Sequence, residues 1–356
     1  MSRGVVHTWW RRGRTPGDEW RASFLLESVS LTQSFLLIVS HAVSITHLRE
    51  FLEIGLVEAN NNRPLNPGSE RQYIIICTHC HYDHIGGIEQ FSRLDDKDNR
   101  SCSAIVASAR GRDFIENDLP EHSICKYMGI PTPRYKVSYW AEDFDRLKFP
   151  LKPESMDMEA SQILPASASD LGITIVNTPG HTPDELAWYD HNERHLYVGD
   201  SFYEEGEEGM AILFPKEGDW VDYMSSMTKL LDFVRKENVV VAEDSDGWLS
   251  VPKRLKIGCG HTTTSADGET ILKEVIDLFE KIILGKVPVQ SSEEQRGLTY
   301  DTWREKGTAV RFSVRAPRKL CEDARRQIHP LIEAAKAAQP SDSGFPDFFR
   351  KLRFGL

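Results

Sequence analysis

Along the chain, short apolar runs alternate with longer stretches whose apolar residues recur at the helical period. Residues 34–40, SFLLIVS, are a brief apolar run closing in a polar residue, which predicts a strand. From Ile45 the spacing of Leu48, Phe51, Leu52 and Leu56 switches to that of a helix. Four later runs also predict strands: QYIIIC at 72–77, GITIVN at 172–177, RHLYVG at 194–199 and RLKIGC at 254–259. Each of the four is followed within a few residues by a histidine or an aspartate.

Helices are expected between them. DWVDYMSSMTKLLDFVRKEN places Val221, Met224, Met227, Leu231 and Val234 on one face behind Asp219 as N-cap, with the two methionines as core filling. GETILKEVIDLFEKIILGK ends at Gly285, where a C-cap belongs. Strands with helices between them predict a layered α/β domain whose loops gather at one sheet edge. No repeat of 20 to 50 residues is found. Residues 149–171, rich in Pro, Ser and Ala, are expected to be irregular, and the acidic EEGEEG at 204–209 to be a solvated loop. The last sixty residues lose the rhythm of strand then ligand. There CEDARRQIHPLIEAAKAAQ predicts a helix broken or kinked at Pro330, followed by a turn-rich PSDSGFPDFF.

Composition narrows the function classes. With 40% hydrophobic and 27% charged residues among 356, the chain has enough apolar material for a large core. A net charge of -11 argues against a nucleic-acid footprint, which needs clustered Lys and Arg, and favours a small-molecule substrate. The six cysteines, Cys77, Cys80, Cys102, Cys125, Cys259 and Cys321, form no CxxC pair, which points to a reducing, cytoplasmic compartment. The apolar stretch from Phe24 to Ile45 is interrupted by Glu27, Ser28, Gln33 and His41, so neither a membrane span nor a secretory leader is expected.

The chemistry concentrates in THCHYDH. A divalent ion such as zinc takes imidazole nitrogens and carboxylate oxygens at about 2.0 to 2.2 Å. His79, His81, Asp83 and His84 offer four such groups in six positions. In an extended loop alternate residues point the same way, so His79 and His81 can reach one ion, while Asp83 and His84 turn toward a second after a bend. His181 in NTPGHTPDEL, Asp200 in YVGDSF and His261 in GCGHTTT stand at the other strand ends. His191 and His195 flank an expected hairpin turn and are read as exposed. Cys77, Cys80 and Cys259 read as small buried side chains, and Thr182 and Thr262 as partners for nearby backbone groups.

THCHYDHIGG, TPGHTPDE, LYVGDSF and GCGHTT, in that order, resemble the successive metal motifs of the metallo-β-lactamase superfamily, over roughly residues 34–285. The resemblance implies an αββα sandwich with two central sheets and a dinuclear site at one edge. It divides the chain into a divergent N-terminal segment (1–30), a metallo-β-lactamase-like domain (31–297) and a C-terminal helical and irregular extension (298–356). By motif, His79, His81 and His181 would hold a first zinc, and Asp83, His84 and His261 a second, with Asp200 bridging. A water acidified on zinc to a pKa near 7, rather than about 15.7, would then be the nucleophile, with Asp83 orienting it or passing on its proton.

Two departures accompany the resemblance. Ser40 and His41 stand where the superfamily usually carries Asp and Thr, and residues 1–30 are poor in the strands that normally open the first sheet. The segment after Asp200 and the overall spacing are most similar to the MBLAC2-like eukaryotic members, a group associated with acyl-CoA thioester hydrolysis. The implied reaction is zinc-dependent hydrolysis of a thioester or lactone, and Tyr139, Trp140 and Phe144 are candidates for an apolar acyl pocket or for core. A β-CASP nuclease would need a longer insertion between Asp200 and His261 and a basic surface. An iron-dependent persulfide dioxygenase would use a subset of the same ligands, and a scaffold protein would keep the sandwich without turnover.

Overall fold

The computed structural model describes residues 5–6, 28–32, 35–39, 48–57, 60–92, 104–149, 169–207, 209–244, 254–307 and 310–338. Contacts divide the chain into two compact units, residues 1–177 with 188–193, and residues 178–187 with 194–356. The chain adopts the mixed helix-and-sheet class expected from its alternating pattern.

In the first unit, β1 (Val5–Val6), β2 (Ser28–Thr32), β3 (Phe35–Val39), β4 (Gln72–Ile76), β5 (Ala104–Ser108) and β6 (Tyr139–Ala141) form one sheet in chain order. The opening pairs are antiparallel, and from β3 to β6 the pairs are parallel, with Phe35 opposite Gln72 and Ile74 opposite Ala104. Two strands therefore precede β3, correcting the expectation that the first sheet lacks its opening strands. β1 is only two residues long, too short for a period-2 signal to register. Ser40 and His41 lie outside the described residues.

Parallel neighbours need crossovers, and helices supply them: α1 (Leu48–Ile54) between β3 and β4, α2 (Tyr82–Ile85) after β4, and α3 (Arg112–Asn117), α4 (Leu119–His122) and α5 (Cys125–Met128) before β6. Both faces of β4 are covered, which is why Tyr73, Ile74, Ile75 and Ile76 are all buried and the strand reads as a continuous apolar run. On one face Leu48, Leu52, Tyr73, Ile75, Ile85, Ile88, Phe91 and Ile105 belong to one core cluster. β7 (Arg146–Phe149) pairs antiparallel with β8 (Ser169–Asn177), which starts inside the stretch expected to be irregular. β9 (Leu186–Asp190) follows, buried throughout.

In the second unit, β10 (His195–Tyr197) runs parallel to β12 (Lys256–Gly258), which pairs antiparallel with β13 (Ala266–Asp267). A four-stranded sheet is ordered β11 (Ile212–Leu213), β16 (Ser313–Pro317), β15 (Leu298–Arg304) and β14 (Val289–Gln295). The residues expected to be helical or irregular thus carry two strands before α8 (Arg318–Ala338). Their signal is partial because only one side of β15 buries, through Asp301 and Trp303, and β14 is exposed along its length. α8 continues through position 330 instead of breaking there, and PSDSGFPDFF lies outside the described residues.

α6 (Trp220–Asp244) buries Met224, Met227, Leu231 and Val234 as expected, joined by Tyr223 and Leu230, while Val221 is half-buried. Its N-cap is Asp219, whose carboxylate accepts from the backbone N–H groups of Val221 (2.7 Å) and Asp222 (3.0 Å). α7 (Gly268–Ile283) buries Ile271, Leu272, Val275, Phe279 and Ile282 at helical spacing. Phe279 meets Trp220 edge-on at 5.0 Å between ring centres, and Trp220 meets Trp303 at 5.4 Å, so a strand beyond α7 completes this core. Among the described residues no helix is long and apolar enough to cross a membrane.

Asp267 caps α7 by accepting from the Thr270 backbone N–H at 3.1 Å, and it also takes Arg254 Nε at 2.7 Å. The Arg254 guanidinium holds the carboxyl well below the usual carboxylate range, and Thr270 adds to this against the cost of burial. A depressed folded-state pKa contributes stability above the unfolded pKa, near 3.9, that disappears as pH falls through the lower folded value. Asp267→Asn keeps a capping oxygen and removes the charge. The expected result in thermal unfolding is a Tm about 2–4 °C below wild type at pH 7, as for a loss of up to 1 kcal/mol, with the gap closing below about pH 4.

Candidate metal centre

In the first unit β4 ends at Ile76, and the chain leaves it through Cys77, Thr78 and His79 before α2 begins at Tyr82. His81 is extended, with φ -62° and ψ 150°, and its carbonyl accepts from the N–H groups of His84 (2.9 Å) and Ile85 (3.1 Å). This turn is fastened by the Tyr82 N–H, which donates to the Ser123 carbonyl at 2.8 Å. An extended strand end followed at once by a helical turn folds the four candidate groups together. His79, His81, Asp83 and His84 are all buried.

Their geometry is close. His79 Nε2 lies 2.9 Å from His81 Nδ1, near the roughly 3.3 Å that two imidazole nitrogens keep on one tetrahedral ion with bonds of about 2.0 Å. The His79 ring is also 4.0 Å from the His84 ring, and Asp83 Oδ2 is 3.9 Å from His84 Nε2. Thr78 Oγ1 lies 3.2 Å from His84 Nδ1 and 3.4 Å from His79 Nδ1. A hydroxyl oxygen accepting from either Nδ1–H selects the tautomer whose Nε2 lone pair is open to a metal. Thr78 is the contributor that sequence reasoning passed over, since a threonine beside a histidine carries no signal of its own.

The second unit holds the remaining three. His181, 3% exposed, rides on a loop pinned to α6. The Gly180 carbonyl accepts from the Asp219 N–H at 2.8 Å, the Pro179 carbonyl accepts from Ser226 Oγ at 2.7 Å, and the Thr178 N–H donates to the Glu185 carbonyl at 2.8 Å. Gly180 adopts φ +150°, and a Cβ there would collide with the Tyr223 backbone, so both its conformation and its surroundings require glycine. Asp200 and His261 stand just past the parallel neighbours β10 and β12. The Val198 N–H donates to the Gly258 carbonyl at 3.0 Å and the Gly260 N–H to the Gly199 carbonyl at 2.6 Å. The two side chains meet, with His261 Nε2 3.0 Å from Asp200 Oδ2.

A carboxylate outside the expected set stands close in sequence. Glu185 is fully buried, and desolvation, with the charges of Asp200 and Asp184 adding to it, pushes its carboxyl well above the ordinary value. The other candidates resolve as follows. His195 opens β10, is buried and stacks on Tyr197 at 4.4 Å, which overturns its expected exposure, because the turn is made by Arg194 at φ +55° before it. His191 is half-buried, with Nε2 2.8 Å from Thr174 Oγ1. Tyr139 donates to Asp145 Oδ2 at 2.9 Å, Trp140 packs on the first unit's core beneath Arg112, and Phe144 is exposed. Cys77, Cys80 and Cys259 are buried, and Thr262 Oγ1 donates to the Glu204 carbonyl, as expected of small side chains and backbone partners.

Residues 72–242 match the model of the metallo-β-lactamase superfamily. This stretch is a metallo-β-lactamase superfamily domain. A curated relative, the putative transcription factor AvaE of Aspergillus versicolor, is 26% identical over 79% of this chain and 74% of its own length. The acyl-coenzyme A thioesterase MBLAC2 of Gallus gallus is 22% identical over 48% of this chain, and the match spans 55% of that protein. A solved metallo-β-lactamase family protein from Thermus thermophilus is 14% identical, with a TM-score of 0.46, covering 76% of this chain and 79% of that one.

The metallo-β-lactamase domain contains six of the seven candidate ligands, and His261 lies C-terminal to the matched stretch. Within the domain, Gly180→Ala tests how firmly the His181 loop is held. Backbone strain alone is expected to cost about 1–3 kcal/mol, with the steric conflict at Tyr223 adding to it. Thermal unfolding should show the loss, and the His181 imidazole signals in NMR should shift while those of His79 and His84 stay in place.

Proposed function

We propose that this protein is a dinuclear metal-dependent hydrolase acting on an activated carbonyl compound, with acyl thioesters as the foremost substrate class. The observation that carries the reading is the pair of buried imidazole nitrogens 2.9 Å apart, on His79 and His81, with the Thr78 hydroxyl against the other nitrogen of the His79 ring. Imidazole nitrogens and carboxylate oxygens are the donors that zinc and related divalent ions accept, so the residues fit the group. In this proposal His79, His81 and His181 would hold one ion and Asp83, His84 and His261 the other, with Asp200 available to both.

Bound there, two divalent ions would supply a water acidified toward neutrality and an electrophile for the carbonyl oxygen. The protein's own groups do the rest. Thr78 would fix the tautomers of His79 and His84, the carboxylate of Asp83 would accept a proton from the attacking water and pass it to the leaving group, and the burial of His79, His81, Asp83, His84, His181 and Asp200 would limit the access of bulk water. A thiolate leaves readily once the carbonyl is attacked, so a thioester places little demand on general acid catalysis. MBLAC2, a thioesterase by name, is the relative that supports this substrate class. The five described cysteines are free thiols, in keeping with a reducing compartment.

The name of the Aspergillus relative offers a second reading, in which the domain serves transcription. A net charge of -11 weighs against direct binding to DNA phosphates, so that role would run through protein contacts or a small molecule.

The test is metal content by mass spectrometry on the purified chain, paired with hydrolysis of a thioester panel before and after chelation. About two divalent ions per chain and chelator-sensitive turnover are expected. Asp83→Asn should lower turnover by about 10²- to 10⁴-fold, and Thr78→Val should weaken metal binding by about 10- to 100-fold. A chain that holds no metal after reconstitution sinks the proposal, and a single iron with oxygen-dependent turnover replaces it with a persulfide dioxygenase-like reaction.

A further inference from the structure

The acidic stretch EEGEEG, expected to be a solvated loop, is tied into the second unit at its first two residues. The Glu204 N–H donates to Thr263 Oγ1 at 3.0 Å, Thr263 Oγ1 in turn lies 3.2 Å from Glu204 Oε2, and Thr262 Oγ1 donates to the Glu204 carbonyl at 2.5 Å. Both threonines directly follow His261, and the preceding Tyr203 ring meets the His261 ring edge-on at 4.7 Å. The His261 turn is therefore strapped to Glu204 by three hydrogen bonds and to Tyr203 by a ring contact.

Glu204 is itself held from the C-terminal side. Arg311 Nε donates to Glu204 Oε1 at 2.9 Å, and the same guanidinium bonds Glu274 on α7. The next residue repeats the arrangement. Glu205, 6% exposed, takes a two-pronged contact from Arg304 at 2.7 and 2.9 Å, and its N–H donates to the Arg311 carbonyl at 2.8 Å. Arg304 ends β15 and Arg311 stands just before β16, so two strands past the superfamily match deliver both guanidiniums.

We propose that Glu204, clamped by Arg311, is a positioning residue for His261, and that β15 and β16 thereby set the geometry of the second metal ligand set. The inference rests on the ligand assignment made under the proposed function. Without the clamp, Glu204 would pull toward water as any half-exposed carboxylate does. The Thr262–Thr263 strap would then loosen and His261 would leave Asp200.

The experiment compares wild type with Arg311→Ala, the isosteric Glu204→Gln, and Arg315→Ala, which removes an exposed ion pair with Glu293 in the same sheet. Two readouts are taken: cobalt titration followed by d–d absorption, and the ¹⁵N shifts of the His261 imidazole in the metal-free chain. In Arg311→Ala and Glu204→Gln the weaker cobalt site should lose about 10- to 100-fold in affinity, as when a group supporting a ligand is removed, with the tighter site unchanged. The His261 shifts should move in these two and not in Arg315→Ala. Wild-type cobalt affinity at both sites in both variants, together with unmoved His261 shifts, overturns the inference. If wild type binds no cobalt, the hydrolase reading falls by itself, and the imidazole shifts alone then decide whether Arg311 and Glu204 position His261. Thermal unfolding of Glu204→Gln at the wild-type temperature shows that the readouts come from a folded chain.

Discussion

A buried polar group that lacks a partner costs several kcal/mol, and burying imidazoles and carboxylates side by side multiplies that demand. The turn that carries His79 and His84 answers to this constraint. Four such groups sit within six residues after β4, and a strand end followed at once by a helical turn is the local geometry that lets them face one another. Thr78 then answers for the Nδ1 atoms of two rings with one hydroxyl. In the second unit the same demand is met by cross-ties between the ends of β10 and β12, which bring Asp200 to His261. Rigid strand ends keep these groups facing one another, since side chains free to relax outward would be satisfied by water instead.

Much of this was legible in the sequence because the signals were local. The β4 run is apolar at every position from Tyr73 to Ile76, as a strand covered on both faces is, and the candidate ligands follow within a few residues. α7 declares itself with Ile271, Leu272, Val275, Phe279 and Ile282 on one face and an Asp before its first turn. The motif order carried the resemblance, and the match over residues 72–242 bears out the superfamily.

What escaped the sequence reading depended on partners far away in the chain. β1 has two residues and β14 faces solvent along its length, so neither leaves a readable periodicity. His195 looked like a turn residue because it follows Asn192 and Glu193, yet a single positive φ at Arg194 closes the turn early and hands His195 to β10. Phe214, Trp220, Phe279 and Trp303 make a continuous aromatic core whose members come from four separate elements or loops. No window along the chain contains enough of them to reveal it.

The acidic run at 204–209 states the principle most sharply. Read alone, four glutamates between glycines describe a segment that water should keep, since like charges repel and glycine favours disorder. The arginines that pair with the first two of them, Glu205 and Glu204, lie 99 and 107 residues further on. Once β15 and β16 deliver Arg304 and Arg311, the ion pairs hold Glu205 below the usual carboxylate range, with the Arg304 hydrogen bond as the main cause. The same contacts convert a charge cluster that would repel itself into a fixed bracket for the turn that carries His261. Charge patterning along a sequence fixes only what a segment does when unpartnered, and a strand pair from the far end of the chain reverses that outcome.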